Sequence, residues 1–377
     1  NFYGLNITSP LENIERFSQQ LTKTHRLLAT AKGLFTLYDT EKFKRSDDGK
    51  HSFTFATTFT GDYRAINYTS FLDPDKTSWG RNQYGEGTDT RSTDFVYVWD
   101  NVLDYKLKLD KHNLDVMAGS SWTRSRYSWA GIYGSHYADG TIQTLNAANK
   151  IDPYSTSTSG SEWGILSFLA RVSYNYGDRY LVTANFRADG SSKLAPGHRW
   201  GFFPSVSAAW RISGEEFMKD VRWIDDLKIR GGWGLTGNQA GLGDYAYLER
   251  YNINRQNWWE QGKENAVPTY SQASLRSTDL TWETTSQADA GFDWMMFGNR
   301  FGIEFDWYYK YTRNMLMWVS LPAGSSAVNS IQRNEGEMRN TGVELTLHSR
   351  NFVRKNFQWE TDLNISHNEN TLMNLQT

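Results

Sequence analysis

The chain of 377 residues contains no cysteine. Disulfides and thiolate metal sites are therefore excluded. No stretch approaches the ~18 consecutive apolar residues of a membrane helix, so a helical span is excluded too. The formal net charge is only -2, which gives no bulk electrostatic pull on nucleic acid. None of the seven histidines stands in an H-x-x-x-H or H-E-x-x-H spacing, which argues against a zinc enzyme. Nothing resembles a nucleophile elbow; an enzyme is the least supported class. No signal peptide is visible, and the first residue is Asn1 rather than Met.

What is present is aromatic. Hydrophobic residues make up 38% of the chain, yet 16 Trp, 21 Tyr and 20 Phe bring the aromatic share to 15%. Residues 300–314, RFGIEFDWYYKYTRN, show how they are used. Phe301, Ile303, Phe305, Trp307, Tyr309 and Tyr311 alternate with Gly302, Glu304, Asp306, Tyr308, Lys310 and Thr312. The same period of two recurs in SFTFATTFTGDY, GILSFLARVSYNY, RYLVTANFRADG, GVELTLH and FQWETDLNIS. It predicts strands with one apolar and one polar face.

Twelve such strands are predicted, at roughly 26–39, 51–63, 94–110, 112–126, 163–176, 179–189, 201–212, 226–236, 282–297, 300–313, 340–350 and 357–368. Many exceed the ~5–6 residues common in globular strands and match the ~9–11 that cross a bilayer at a tilt. Short links, such as Gly177-Asp178 and Gly298-Asn299, take turns with long ones rich in Gly, Ser, Asn and Trp. That rhythm is the plan of an outer-membrane β-barrel, with turns at one end and loops at the other. The aromatic face would meet lipid and the charged face a watery lumen. Tyr and Trp near strand ends would form the interfacial girdle. A soluble propeller or sandwich would instead bury the apolar face under another sheet. Strand length and loop rhythm favour the barrel, and no repeat of propeller period is present.

Three segments carry a resemblance: RYLVTANFRADGSSKLAPGHRWGFFPSVSAAWRISGEEFM (179–218), DLKIRGGWGLTGNQAGLGDYAY (226–247) and NEGEMRNTGVELTL (334–347). In this order they resemble the SusC-like family of TonB-dependent outer-membrane transporters. The resemblance implies an all-β fold, a transmembrane antiparallel barrel of roughly 22 strands with an N-terminal plug. It implies a SusD-like lipoprotein lid, energy from TonB, and a pair of transporter–lid units. Twelve strands, with no plug or TonB-contacting segment, make residues 1–377 an interior fragment of the barrel domain. The implied function is import of large nutrients, glycan oligomers foremost. The alternatives are oligopeptide import, a passive porin, and a surface-binding barrel without transport.

Candidate ligand residues lie in the longest loop. Trp258 and Trp259 could stack on sugar faces, with Glu260 hydrogen-bonding beside them; Tyr245 and Tyr247 have the same potential. All of these could equally pack the loop on itself or on a partner. Asp73 and Asp75 could hold a loop calcium through carboxylate oxygens, although a solvated turn fits them as well; no other cofactor is expected. GWGLTG (232–237) and GLGDYA (241–246) mimic a dinucleotide fingerprint, but no helical pattern follows either. The inward charges Arg171, Arg187, Glu304, Asp306, Lys310, Glu344, Glu360 and Asp362 fit a solvated lumen or plug contacts. Pro204 cannot donate to a ladder, so a break in pairing is expected near it.

Overall fold

The computed structural model describes residues 18–41, 49–258 and 267–375. Its strands in chain order begin with β1 (Ser18–Asp39), β2 (Lys50–Leu72), β3 (Glu86–Leu109), β4 (His112–Tyr137), the short β5 (Ala148–Ile151), β6 (Ser157–Tyr176), β7 (Tyr180–Ser191), β8 (Trp200–Arg211) and β9 (Ile224–Asn238). A separate hairpin, β10 (Arg250–Trp258) with β11 (Val267–Ser274), precedes β12 (Glu283–Met296) and β13 (Phe301–Arg313). A second hairpin, β14 (Leu316–Ser320) with β15 (Ser330–Asn334), precedes β16 (Glu337–Arg354) and β17 (Phe357–Asn374). One sheet holds β1-β2-β3-β4-β6-β7-β8-β9-β12-β13-β16-β17 in that order, with β5 beside β4. Among the described residues it has two edges, β1 and β17, and does not close on itself.

All twelve periodic segments are strands of this sheet. Every neighbouring pair is antiparallel, so one end collects the tight turns. At Gly177-Asp178 both residues take positive φ, 59° and 56°, and the Arg179 amide donates to the Tyr176 carbonyl at 3.1 Å. That is a hairpin turn whose twist suits the strands on either side, and glycine meets its first position without strain.

Several strands extend further toward the loops than their apolar periodicity. β2 continues to Leu72, β3 starts at Glu86 and β4 ends at Tyr137. In these extensions Thr, Ser, Asn and Tyr occupy both faces (Asn67, Thr69, Ser70, Thr88, Thr90, Ser128). Period-two apolarity fades where no lipid is met, while β propensity and cross-strand pairing persist. At ~3.4 Å per residue, strands of this length project well beyond a bilayer. The strands of the two separate hairpins and β5 were not predicted, being short or polar on both sides.

Registry carries the faces across the sheet. Tyr180, Trp210, Ile229, Phe292, Phe305, Leu345 and Ile365 form one continuous row over seven strands. Among the described residues nothing covers this side: Phe59, Trp99, Trp122, Phe186, Val206, Trp233 and Trp307 all remain more than a third exposed. Two of these indoles spend their N–H on hydroxyls within the wall, Trp99 on Thr57 and Trp233 on Ser286, each at 3.0 Å. A donor facing hydrocarbon needs such an internal partner.

Candidate functional site

The polar face opens into its most structured region at the long-loop end. Here the β8–β9 ladder stops at Ser205, next to Pro204. The Phe203 ring fills the wedge where the two strands part. A Cβ on Gly237 would stand 2.1 Å from that ring and one on Gly201 2.4 Å, so both positions require glycine as the ring now lies. Phe203 meets the Trp282 ring edge-on at 5.5 Å. Around them Leu194, Ala195, Leu242 and Leu280 complete a buried cluster, with Tyr247 and Leu316 against it.

Three loops are locked together by this cluster. The Ala195 amide donates to the Leu280 carbonyl at 3.2 Å, and the Trp282 indole donates to the Arg199 carbonyl at 2.9 Å. The Gln332 amide donates to the Gly241 carbonyl at 3.0 Å. The Asn334 amide both accepts from the Thr281 N–H and donates to the Thr281 carbonyl, each at 2.8 Å.

Beside the cluster lies a cleft of about 490 Å³ lined by Trp163, Arg187, Asp189, Lys193, Gln239 and Trp282, among others. That volume is within the ~300–1,000 Å³ usual for small-ligand sites. Its charges are internally paired. The Arg187 Nε donates to both Asp189 oxygens at 2.9 and 2.7 Å, and its Nη2 to Ser167 Oγ at 3.0 Å. Lys193 Nζ lies 3.0 Å from Asp244 Oδ1 and 4.9 Å from the centre of the Trp163 ring. The Ser191 hydroxyl donates to the Gln239 side chain. The cleft thus offers hydrogen-bonding groups and an aromatic surface without a net charge among its named pairs.

The residues singled out in the sequence fall at different places. The Tyr245 hydroxyl accepts the Glu162 amide hydrogen at 3.1 Å, on the β6 edge beyond the end of β7. Tyr247 packs on the buried cluster, with the Arg199 guanidinium 5.9 Å from its ring centre. Trp258 ends β10, paired with Val267. Trp259 and Glu260 lie outside the described residues. Asp73 is buried, at 1% exposure. Its Oδ1 accepts from the amides of Asp75 and Lys76 at 2.9 and 3.0 Å, and Lys76 Nζ stands 3.2 Å from Oδ2. Hydrogen-bond donors and an ammonium face the oxygens that a calcium ion would use, and Asp75 is exposed. Among the described residues no group of three or more His, Asp or Glu gathers as a metal site. GWGLTG lies within β9 itself, and GLGDYA in the loop after it.

The cleft was not among the predicted sites, yet a signal was present. Arg187, Asp189, Ser191, Lys193 and Phe203 come from the first resembling segment, Gln239 from the second, and Asn334, which clamps Thr281, from the third. The three segments meet at this mouth.

A wall of long antiparallel strands, apolar outside and polar inside, with tight turns at one end and interlocked loops at the other, defines an outer-membrane β-barrel. The profile of the family described as TonB dependent receptor-like, beta-barrel, matches residues 4–373, and the chain belongs to that family. It is 31% identical over 323 residues to TonB-dependent receptor P39 of Formosa agariphila, covering 85% of this chain and 30% of the relative. It is 30% identical over 318 residues to TonB-dependent receptor SusC of Bacteroides thetaiotaomicron, covering 84% of this chain and 31% of the relative. The solved RagAB peptide transporter shares the fold, with a TM-score of 0.78 at 23% identity, over 94% of this chain and 38% of that chain. The chain therefore spans under a third of the length of the two curated relatives.

Proposed function

We propose that this chain is part of the barrel wall of a TonB-dependent importer of large nutrients, with oligosaccharides as its principal cargo. The carrying observation is the cleft at the mouth. Trp163 offers a flat apolar surface for a sugar ring, and the neighbouring amide, hydroxyl and paired charged groups suit hydroxyl-rich ligands. The paired charges give no preference for an acidic or basic cargo. The likeness to SusC over most of the chain supports the transporter class.

In this reading the described strands are joined by others that close the barrel, since an open edge in hydrocarbon would strand amides at several kcal/mol each. A surface lipoprotein covers the long-loop mouth, the unit pairs with a second copy, and TonB acts through a plug. Trp258, Trp259 and Glu260 would serve as further contacts for the same cargo. The barrel itself performs no bond chemistry.

Uptake by cells carrying the full-length protein tests this. Neutral oligosaccharides of stated length are compared with oligopeptides, with and without an uncoupler. The proposal expects energy-dependent oligosaccharide accumulation that falls about tenfold or more in Trp163→Ala, with normal amounts of inserted barrel. Accumulation of oligopeptides alone would replace the cargo assignment. Uptake indifferent to the uncoupler would make the protein a passive pore.

A further inference from the structure

The outward face changes character above its aromatic belt. Trp99 of β3 and Trp122 of β4 stand opposite each other, with Phe59 and Leu166 on the flanking strands. Two residues further toward the loops, on the same face, Arg124 stands opposite Tyr97; two further still, Arg126 lies between Phe95 and Glu162. At ~3.4 Å per residue, the two arginines are about 7 and 14 Å beyond the tryptophans along the strand. Glu162 is shared: it pairs with Arg124, and with the Arg126 Nε at 3.0 Å. One carboxylate facing two guanidiniums leaves a positive charge. Higher on the same face a row runs Lys23–Asn67–Arg91. Arg91 is 73% exposed and leans on Asp89 at 3.3 Å. This outward rim therefore sets four cations against two carboxylates, in a chain whose net charge is -2.

The position identifies the partner. Charged groups are costly at mid-membrane on a barrel's lipid face, so the arginines lie at or beyond the edge of the hydrocarbon. The face is continuous with the exposed belt of Phe59, Trp99 and Trp122 below it. A molecule that seats acyl chains on that belt brings its headgroup to the arginines. Guanidiniums hold phosphate through paired, charge-assisted hydrogen bonds, and basic clusters beside a membrane recognise anionic headgroups. We propose that the loop-side rim of β3, β4 and β6 binds the phosphorylated headgroup of a lipid in the outer leaflet, with Arg124 and Arg126 as its phosphate contacts.

The test uses the full-length protein in detergent and native mass spectrometry, with three probes: bis-phosphorylated lipid A, lipid A stripped of phosphate, and inorganic phosphate. Phosphorylated lipid A should bind at least tenfold more tightly to the parent protein than to Arg124→Gln/Arg126→Gln. Stripped lipid A should bind both proteins equally. Millimolar inorganic phosphate should leave the bound lipid in place, because the belt holds the acyl chains. Should the double variant fail to insert, Arg126→Gln alone is used; its side chain is 61% exposed, and a drop of at least threefold is expected. Lys310→Gln, on the polar face, should change nothing. Equal retention by parent and variant, an equal loss in Lys310→Gln, or displacement by phosphate alone would each overturn the proposal. Equal lipid retention with loss of a bound protein would reassign the rim to a protein partner.

Discussion

Arg230 of β9 reaches across the whole of β12 to Asp306 of β13. Its Nη2 lies 2.9 Å from Asp306 Oδ2, and its Nε gives a 3.1 Å bond to Asp293 on the strand between. The reach exists because Gly291 separates the two in the same cross-strand row. A Cβ at Gly291 would stand 2.6 Å from Asp306 Oδ1 and 2.5 Å from the Phe305 carbonyl. The polar face thus uses a missing side chain to join three strands by one guanidinium, and Lys228 adds a 2.8 Å pair to Asp293.

Gly291→Ala should therefore destabilise the barrel by about 1–3 kcal/mol, as overpacking does. Part of that comes from the backbone clash alone. Combining Gly291→Ala with Asp306→Asn isolates the ionic part, and the coupling should exceed ~0.5 kcal/mol, the limit for independent sites. The pair is about a third exposed, so solvent screening keeps the coupling modest. Denaturant titration of the heat-modifiable gel band reads both. Strict additivity would mean that the crossing pair does not depend on the glycine beneath it.

Val206 and Ser207 are adjacent on β8 but face opposite sides. Val206 sits in the outward row between Ala184 and Trp233, and Ser207 between Thr183 and Gly232. Arginine at Val206 should cost about 2–4 kcal/mol, the penalty for a cation on the lipid face near mid-membrane. Arginine at Ser207 enters the polar interior and should stay within about 0.5 kcal/mol. Folding yield into lipid vesicles distinguishes the two. Equal penalties would show that the apolar face does not meet hydrocarbon.

These contrasts explain what the sequence disclosed. A face that meets lipid must alternate, so Phe301 to Tyr311 announced β13 almost to the residue. Turn chemistry did the same at Gly177-Asp178. Where lipid ends, the constraint ends too, and the strand ends at Leu72, Glu86 and Tyr137 lay beyond the alternating residues. The mouth was harder to see. Arg187 could be read as inward-facing, and its partner Asp189 stands two residues on in the same strand, but the cleft they form with Trp163 and Gln239 joins segments far apart in the chain. Phe203 lies in the first resembling segment with no local mark of its role; its place as a wedge depends on Gly237, 34 positions away. Tyr245 and Tyr247 stood out as loop aromatics, but their anchoring on β6 and on the buried cluster has no local signature.

Asp73 makes the loop after β2 sensitive to acid. Burial pushes its carboxyl up, but the amide of Asp75 and the side chain and amide of Lys76 pull harder, and it settles below the usual carboxylate range. A carboxyl depressed in the folded state stabilises fully above its unfolded value of roughly 3.9. That stabilisation is lost as pH falls through the lower folded value. Protection of the Asp75 and Lys76 amides against hydrogen exchange should be flat from neutral pH to about 5 and decline in stronger acid. In Asp73→Asn it should be weaker throughout and lose its acid limb. An identical acid limb in the variant would assign the transition to another group.

Tyr245→Phe tests whether loop 239–249 is latched to the wall. β7 pairs with β6 only as far as Ile165, so the Glu162 amide faces a part of the β6 edge with no strand beside it among the described residues. The Tyr245 hydroxyl supplies its acceptor at 3.1 Å. Removing one oxygen leaves a partly buried donor unpaired, a loss of about 1–3 kcal/mol. The ring and its packing remain, so the effect should be local. Exchange of the Glu162 amide should accelerate by roughly tenfold or more, and proteolysis within 239–249 should quicken. Insertion of the barrel and its heat-modifiable mobility should be unchanged, because the rest of the β6 ladder is intact. Unaltered exchange at Glu162 would mean that the loop is held by Lys193–Asp244 and the Leu242 cluster alone, and that the tyrosine hydroxyl is free to meet a ligand.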